Sequence, residues 1–332
     1  MKPLFGPLAP KDLESDKRLT NKFLSLPPHK HLVAILGHDL LRSHKDQSLL
    51  PFYTIDGELC GENLRQYIEN STKSENGGSI SLPEIWSITQ QIASGAEYLH
   101  RNNMDHPHLR SENSISNHVI SLILILVVVR SLEPGQSNIW KITNFCTSRR
   151  LLIVEDLEGE GTPQYHPPEL ILSPRASGEE PSNSVIKRRA GSWSLGCILY
   201  ELCTGDRAFR DLYSLLQYYS NKRPVPKVTG DSNPNLFGTS RILSEIDRSH
   251  ITAMWSSVNG TNIRLFGDPR SETWMDCVLS RINKVIELSL NKNVNERLSV
   301  EEIGFYSAAN VIRSKLETKE VKIPLNIQTD IL

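Results

Sequence analysis

The sequence predicts an α+β fold, in which a small strand-containing N-terminal part precedes a larger, mainly helical C-terminal part. Two segments near the N-terminus, HLVAILG (31–37) and SLLPFYTI (48–55), have the length and apolar content of strands. Farther along, residues 81–102 and 193–203 have the length and apolar pattern of helices. The chain has 332 residues, 38% of them hydrophobic, which is enough for one large or two small domains at roughly 100–200 residues each.

Composition and charge exclude several classes of protein. The net charge is −1, so no strongly basic face is expected and a nucleic-acid partner is not predicted. The cysteines are scattered, odd in number and without a C-x-x-C pair, which favours a reducing, cytoplasmic setting over a disulfide framework or a zinc site. The first 25 residues contain no apolar run, so no signal peptide is expected.

The N-terminal elements follow from local signals. Residues 12–26 predict a short amphipathic helix that ends at Pro27-Pro28, because proline cannot continue a helix. Another short helix is predicted at Leu64–Glu69, and the polar, glycine-containing residues 71–81 predict a loop.

The helix at 81–102 has the clearest pattern in the chain. Ser81 and Glu84 have the S-x-x-E spacing of a capping box, which predicts that the helix begins there. Apolar residues recur at helical spacing and predict one buried face: Ile85, Ile88, Ile92 and Leu99.

The apolar segment VISLILILVVV (119–129) has 11 residues, whereas a membrane-spanning helix needs roughly 17–25. Its β-branched content predicts a buried strand, so no membrane role is expected. A turn at 133–136 leads into a further predicted strand at 138–145.

The C-terminal half is predicted to be helical with polar insertions. Residues 193–203 (WSLGCILYELC) are nearly all apolar, as in a helix that is buried on every side. Residues 174–189 and 221–262 predict mainly surface loop, and helices are predicted near 272–290 and 299–315.

Several segments, in order, resemble the landmarks of a protein kinase domain. The resemblance covers roughly residues 12–315, and each motif is weak alone while the ordered set is specific. The motifs are HKHLVAILG (29–37), GENLRQYIE (61–69), LRSEN (109–113), TNFC (143–146), GTPQYHPPE (161–169), SWSLGCILYEL (192–202) and LNKNVNERLSVEEI (290–303).

The resemblance implies a protein-kinase-like fold with a truncated N-lobe. Residues 1–62 would be the N-lobe remnant, with one helix and two strands, and residues 63–315 the helical C-lobe. Insertions are expected near 116–136, 174–189 and 221–262, and residues 316–332 would form a C-terminal tail. The GTPQY sequence favours the Ser/Thr branch of the family.

The resemblance also implies one structural ion pair. Glu169 stands where the family has the glutamate of A-P-E, and Arg297 where it has the arginine that holds that glutamate. The alternative is that these two residues are unrelated surface charges.

The catalytic residues of the family are replaced in this chain. On alignment with LRSEN, the H-R-D triplet becomes His106-Pro107-His108, so His108 stands at the position of the catalytic aspartate. Arg110 stands at the lysine position of that loop, where it could still contact a phosphate, and Asn113 remains as a ligand for a second metal ion.

The residues that bind the metal ion and the nucleotide in the family are also replaced or absent in this sequence. Asn144 replaces the aspartate of D-F-G and Cys146 replaces its glycine, which leaves Asn113 and Asn144 as weak candidates for nucleotide and metal binding. The sequence upstream contains neither a G-x-G-x-x-G loop nor a matching β3 lysine. The position of the family's αC glutamate falls on Leu19 or Thr20, and Glu14 lies too early to replace it. The position of the family's αF aspartate falls on Gly191.

These replacements predict a pseudokinase that acts as a binding or scaffolding module for protein partners, without ATP or Mg²⁺. One alternative is an active, divergent, ATP-dependent Ser/Thr kinase with an incomplete gene model. Residues 114–143 form a long interval between the two asparagine motifs, as a retained intron would produce, and an upstream exon could supply the absent strands. A decayed fragment that folds poorly is the third alternative.

Two minor alternatives remain open in the sequence. The histidines at 100, 106 and 108 could bind a metal, although ligand sets of three or four residues are usual and no cysteine lies nearby. Residues 174–189, which include KRR at 187–189, could be a docking or phosphorylation site in place of a solvated loop.

Overall fold

A computed structural model describes residues 10–41, 52–73, 80–104, 109–110, 126–131, 139–143, 163–171, 184–229 and 272–317. Within these ranges the chain has the α+β organisation that the sequence predicts, with short strands in the first half and helices dominating the second. The helices are α1 (Pro10–Leu24), α2 (Leu64–Lys73), α3 (Leu82–Arg101), α4 (Pro168–Ile171), α5 (Ser184–Thr204), α6 (Leu212–Tyr219), α7 (Glu272–Ser289) and α8 (Val300–Glu317). The strands are β1 (Ile35–Leu41), β2 (Phe52–Gly57), β3 (Cys60–Asn63), β4 (Leu109–Arg110), β5 (Leu126–Ser131) and β6 (Trp140–Thr143).

The first helix, α1, confirms the prediction for residues 12–26, with each end about two residues earlier. It ends at Leu24, three residues before Pro27, as expected of a helix that precedes proline. Phe23 turns inward and joins the main core, so α1 is attached to the rest of the molecule by its last turn.

Strands β1 and β2 form a two-stranded antiparallel sheet with an irregularity between Ile35 and Gly37. The predicted strand at 31–37 is therefore displaced, since β1 begins only at Ile35. The cause is that the backbone groups of residues 31–33 are used elsewhere. Val33 N–H donates to the Ile142 carbonyl at 2.9 Å, and Ile142 N–H donates to the His31 carbonyl at 2.9 Å. A parallel bridge between Leu32 and Ile142 results, which joins the start of the chain to β6.

The second sheet is built around β5, which pairs with three other strands. It is antiparallel to β3 and β6 and parallel to the short β4. The strand predictions for 119–129 and 138–145 are confirmed for the parts within 126–129 and 140–143, and residues 119–125 lie outside the described residues. None of the helices that the structure describes has the length and apolar character needed to cross a membrane.

Helix α3 runs from Leu82 to Arg101, as its periodicity predicts, and the four residues of its predicted apolar face are all buried. The predicted capping box is wrong. Ser81 occupies the N-cap with extended backbone angles, but its side chain makes no capping hydrogen bond. Glu84, which should return to the Ser81 backbone, instead accepts a hydrogen bond from the Tyr67 hydroxyl at 2.6 Å.

Helix α5 is the centre of the helical part. Its residues from Ala190 to Cys203 are buried except Tyr200, which confirms that this helix is surrounded on every side. Each fully buried leucine or isoleucine here contributes about 1.5–3 kcal/mol, so the helix is a major source of stability. It packs against α3, α7 and α8.

The C-terminal helices α7 and α8 confirm the predictions near 272–290 and 299–315. One loop prediction is wrong in part, because residues 184–189 of the predicted 174–189 insertion form the first turns of α5. Likewise, residues 71–73 of the predicted 71–81 loop extend α2. Residues 221–229 have no regular structure beyond a turn, as predicted, and 230–262 lie outside the described residues.

Candidate functional site

The four residues predicted to carry or replace the catalytic and metal-binding groups are only partly described. His108, Asn113 and Asn144 lie outside the described residues. The backbone of Arg110 forms the end of the two-residue strand β4, parallel to β5.

The described part of each of the two replaced motifs lies in the second sheet. Val127 of β5 pairs with Arg110 on one side and with Thr143 on the other. Neighbouring strands are about 4.8 Å apart, so the backbones of Arg110 and Thr143 are separated by roughly 10 Å. The described parts of the LRSEN and TNFC motifs therefore lie in strands on either side of β5, and these two strands run in opposite directions.

A buried ion pair lies next to these strands. Lys141 of β6 donates to the Glu58 carboxylate at 2.6 Å, and the two side chains are only 7% and 18% exposed. Glu58 follows β2 directly, and its backbone N–H donates to the Ala34 carbonyl at 2.9 Å. This pair joins the end of the β1–β2 sheet to the sheet that carries the TNFC motif.

The segment 163–171 is anchored by a second buried charge. Tyr165 donates its hydroxyl to Glu201 at 2.6 Å, and Arg65 donates to the other oxygen of that carboxylate at 2.6 Å. The Glu201 side chain is 0% exposed, so these two contacts offset the cost of burying its charge. Arg65 continues to Glu69 at 2.7 Å, which connects α2, α5 and the segment in one network.

Hydrogen bonds between side chains and backbone carbonyls hold the same segment against α5 and the residues that follow it. Ser194 donates its hydroxyl to the Tyr165 carbonyl at 2.8 Å, and Gln164 donates to the Arg210 carbonyl at 2.9 Å. Cys197 lies beneath the segment, with its thiol 3.6 Å from the Gln164 carbonyl. Burial, and then the charge of Glu201, raise the pKa of this thiol far above its ordinary value, so it stays a neutral packing group.

The structure brings together the two residues of the predicted ion pair. Arg297 donates to both oxygens of Glu169, at 2.7 and 3.1 Å, and its guanidinium carbon lies 5.0 Å from the centre of the Trp193 ring. The Arg297 side chain is 0% exposed, and its Nε donates to the Asn291 carbonyl at 3.0 Å. The N-terminal end of the short helix α4 is thereby held through Tyr165 before it and Glu169 in its first turn.

The positions that align with the two remaining acidic residues of the family lie on α1 and α5. Glu14 on α1 is exposed and pairs with Lys17 at 3.3 Å, so it lies on the solvent side of the helix. Thr20 is fully buried and Leu19 packs against the core. Gly191 is buried within α5, the helix that packs against β4.

Sequence reasoning missed the network of Tyr165, Glu201 and Arg65. A signal was present, because Glu201 is the one acidic residue in the apolar run WSLGCILYELC, and a buried carboxylate requires a partner. The partner could not be identified, since Arg65 lies 136 residues earlier in the chain. Helix α6, whose N-terminus is closed by a capping box between Asp211 and Ser214, was also missed.

Metal binding by the histidines has no support in the part of the chain that is described. His100 is buried on α3, whereas His106 and His108 lie outside the described residues. Among the described side chains, no group of three or more histidine, cysteine, aspartate or glutamate residues is placed to hold a metal ion.

Comparison with known proteins finds similarity to protein kinases. The family described as "Protein kinase domain" matches residues 25–305. Three curated relatives are similar. They are a probable serine/threonine-protein kinase, fhkD, of Dictyostelium discoideum, 26% identical over 60% of this chain; the inhibitor of nuclear factor kappa-B kinase subunit alpha of Danio rerio, 27% identical over 58%; and mitogen-activated protein kinase kinase kinase 15 of Mus musculus, 30% identical over 41%.

The similarity is confined to part of each relative. The matched regions cover 23%, 22% and 8% of these three proteins, so the chain spans less than a quarter of their length. What the remaining regions of the relatives do is therefore not transferred to this chain.

Proposed function

Because the chain belongs to the protein kinase domain family, we propose that it is a pseudokinase, which uses a kinase-like α+β fold as a binding or scaffolding module for protein partners. The observation that carries the proposal is the replacement of both acidic residues of the phosphoryl-transfer site, by His108 and Asn144. These two replacements lie within recognisable motifs and do not depend on any sequence upstream of Met1.

The chemistry of phosphoryl transfer explains why these replacements matter. Mg²⁺ at such a site is held by one or two carboxylates together with substrate phosphates. Asn144 offers an amide oxygen without negative charge, so metal and nucleotide binding is weakened. His108 can accept a proton but is larger than aspartate and carries no negative charge to orient the attacking hydroxyl. Both the binding step and the chemical step are therefore impaired.

The anchoring of the 163–171 segment supports the binding part of the proposal. This segment resembles the end of a kinase activation segment, and it is held by Tyr165, by Glu169 and by the hydrogen bond from Ser194 of α5. It packs against α6, which exposes 70% of Tyr213 and 41% of Tyr219. Exposed tyrosines next to a rigid segment are typical of protein-binding surfaces.

The Lys141–Glu58 pair supports a module that keeps its shape without a nucleotide. The pair, together with the Leu32–Ile142 bridge, connects the two sheets through groups of the protein alone. A rigid connection of this kind suits a scaffold, because binding of a partner then requires little ordering.

Binding of Mg²⁺-ATP is the decisive measurement. A protein that bound it at 100 times the dissociation constant would gain about 2.7 kcal/mol of stability, which a thermal unfolding experiment detects easily. We expect no Mg²⁺-dependent shift and no transfer of radiolabelled phosphate to a generic substrate. A clear Mg²⁺-dependent shift would contradict the loss of nucleotide binding.

A restored variant provides the matched control. His108→Asp combined with Asn144→Asp returns both carboxylates, so a Mg²⁺-dependent shift that only the double variant shows measures what the two replacements remove. An equal Mg²⁺-dependent shift in the natural sequence and the double variant would show that the two replacements do not determine nucleotide binding, and the proposal would lose its basis.

The second candidate function is an active, divergent Ser/Thr kinase that uses ATP and Mg²⁺. The observation that favours it is that Arg110 and Thr143, the described ends of the LRSEN and TNFC motifs, flank Val127 in one sheet. The product of a longer transcript that transfers phosphate, and loses this activity on Asn113→Ala, would establish this alternative.

The proposed setting is the cytoplasm. Cys197 is a buried, free thiol, which suits a reducing compartment. Purification with and without a reductant, followed by thiol counting, would test this.

A further inference from the structure

Two cationic side chains from different helices meet at one residue on the surface. Lys22, in the last turn of α1, donates its ammonium group to the Asn103 backbone carbonyl at 3.0 Å. Arg188, in the first turns of α5, donates to the Asn103 side-chain oxygen at 3.3 Å. Asn103 follows the end of α3, so three helices contribute to this place. Arg188 belongs to the KRR sequence whose role the sequence left open.

The conformation of Asn103 presents polar groups outward. Its φ of 52° lies in the left-handed region, which asparagine tolerates better than most residues. Lys22, Asn103 and Arg188 are all exposed. The side-chain oxygen of Asn103 accepts from Arg188, which leaves its amide NH₂ as an additional pair of donors at the same place.

The two cations are not neutralised by the described part of the protein, where neither Lys22 nor Arg188 contacts a carboxylate. Arg188 differs in this from several other arginines, each of which holds a glutamate: Arg65, Arg101, Arg130, Arg189 and Arg297. Arg18, also exposed, lies one turn before Lys22 on α1 and adds a third positive charge on the same side of that helix.

The position at the C-terminus of α3 explains only part of this arrangement. Cations are favourable near the last carbonyls of a helix, at about 0.3–1 kcal/mol each. However, the contacts to Asn103 use one donor of each cation, whereas an ammonium has three and a guanidinium five. Among the described residues, further N–H donors of Lys22 and Arg188 therefore remain available beside Asn103.

We propose that Lys22, Arg188 and Asn103 form a binding site for a phosphate monoester, carried by a phosphoserine or phosphothreonine of a partner protein. Such a group has a charge of about −1.5 to −2 and three acceptor oxygens, which matches two cations and a neutral amide. Charge-assisted hydrogen bonds from arginine and lysine are the usual means of recognising it.

Other polyanions fit the site less well. Anionic membrane surfaces are recognised by clusters of about 4–8 lysines and arginines, and nucleic acids by several phosphate contacts in a row. The exposed cations named at this place number three with Arg18, fewer than such clusters contain; two of them converge on Asn103, and the whole chain has a net charge of −1. The three residues therefore match a single phosphoserine or phosphothreonine of a peptide better than a membrane surface or a nucleic acid.

The test uses a degenerate peptide library with a central phosphoserine, labelled with fluorescein, and its unphosphorylated counterpart. We expect fluorescence anisotropy to show binding of the phosphorylated library only, with millimolar inorganic phosphate as a competitor. Lys22→Gln and Arg188→Gln should each weaken binding about tenfold, equivalent to about 1.4 kcal/mol. Because the two cations act on one ligand, the double variant should bind no better than the unphosphorylated control.

The matched control is Arg223→Gln, which removes another exposed arginine and should leave binding unchanged. Urea unfolding of each variant establishes that a loss of binding is not a loss of folding. Equal binding of both libraries, unchanged binding by the double variant, or binding of phosphoinositide vesicles without binding of the phosphorylated library would each overturn the proposal. The readout is binding of a phosphorylated peptide in the absence of nucleotide, so its outcome is distinguishable from that of the Mg²⁺-ATP measurement.

Discussion

Arg297 and Glu169, 128 residues apart in the chain, form a two-pronged ion pair in which the guanidinium also lies over the Trp193 ring. The arginine side chain is completely buried and the glutamate is 19% exposed. Removing one partner would leave the other charge buried without compensation, which costs more than the pair itself contributes.

We therefore expect Glu169→Gln to lower the free energy of unfolding by about 3–5 kcal/mol. Glu301→Gln is the matched control, because its pair with Arg101 is exposed on both sides and should contribute less than about 0.5 kcal/mol. Urea unfolding of both variants provides the comparison. Equal losses in the two variants would contradict a special role for the buried pair.

The Tyr165 hydroxyl provides a second measurable contribution. Tyr165→Phe removes a hydroxyl donor that, with Arg65, holds the buried Glu201 carboxylate. A hydrogen bond to a charged group contributes about 1.5–3 kcal/mol, and we expect a loss of that size. Tyr213→Phe removes a hydroxyl from a residue that is 70% exposed, and its unfolding curve should match that of the natural sequence. An unfolding curve of Tyr165→Phe that matches the natural sequence would show that the Tyr165 hydroxyl is not needed to stabilise the Glu201 carboxylate.

Stability should fall in mild acid because of His31. Burial lowers the pKa of this ring to about 4 from an ordinary 6.5, opposed by its hydrogen bond to the Trp140 carbonyl and reinforced by the positive neighbours His29, Lys30 and Lys141. The unfolded chain takes up this proton near pH 6.5 and the folded chain only near pH 4. The free energy of unfolding therefore decreases as the pH falls through that interval.

Since the ring is partly exposed to solvent, we expect this contribution to be about 1–2 kcal/mol, less than the full difference in pKa implies. His31→Gln keeps a donor near the Trp140 carbonyl but does not titrate. Urea unfolding at pH 7 and pH 4.5 should show a larger acid-dependent loss for the natural sequence than for the variant. Parallel losses would exclude His31 as the cause.

Close packing of α5 against α7 depends on Gly196. A methyl group at this position would lie 2.6 Å from the Ser289 Cβ and 3.3 Å from the Leu290 side chain. Gly196→Ala should therefore destabilise the protein by about 1–3 kcal/mol through overpacking, despite the higher helix propensity of alanine. At Gly37 the added methyl group meets nothing within 4 Å, so Gly37→Ala is the control, with little expected change in thermal unfolding. If Gly196→Ala unfolds at the same temperature as the control, α5 and α7 adapt to the added methyl group.

The sequence was sufficient to predict the helices with a strong apolar pattern. Helices α3, α5, α7 and α8 were predicted because their buried faces, or in α5 the whole surface, are visible in the order of residues. The start of β1 was misplaced because local composition cannot reveal that residues 31–33 use their backbone groups on β6.

Only those parts of the candidate site that belong to a recognisable motif could be predicted from the sequence. Glu169 and Arg297 were chosen by resemblance to a family motif, and the structure places them in contact. The partners of Glu201 and the meeting of Lys22 with Arg188 at Asn103 could not be predicted, because the contacts join residues that are 36 to 136 positions apart. The geometry of His108, Asn113 and Asn144 stays a prediction.

The parallel bridge between Leu32 and Ile142 also has a consequence for the order in which the chain folds during synthesis. His31 and Trp140 are 109 residues apart, and at about 5–20 residues per second the ribosome needs roughly 5–20 s to produce β6 after the segment that it pairs with. During that time residues 31–33 lack their final partner. The first part of the chain therefore cannot complete its native contacts until most of the second sheet has been synthesised.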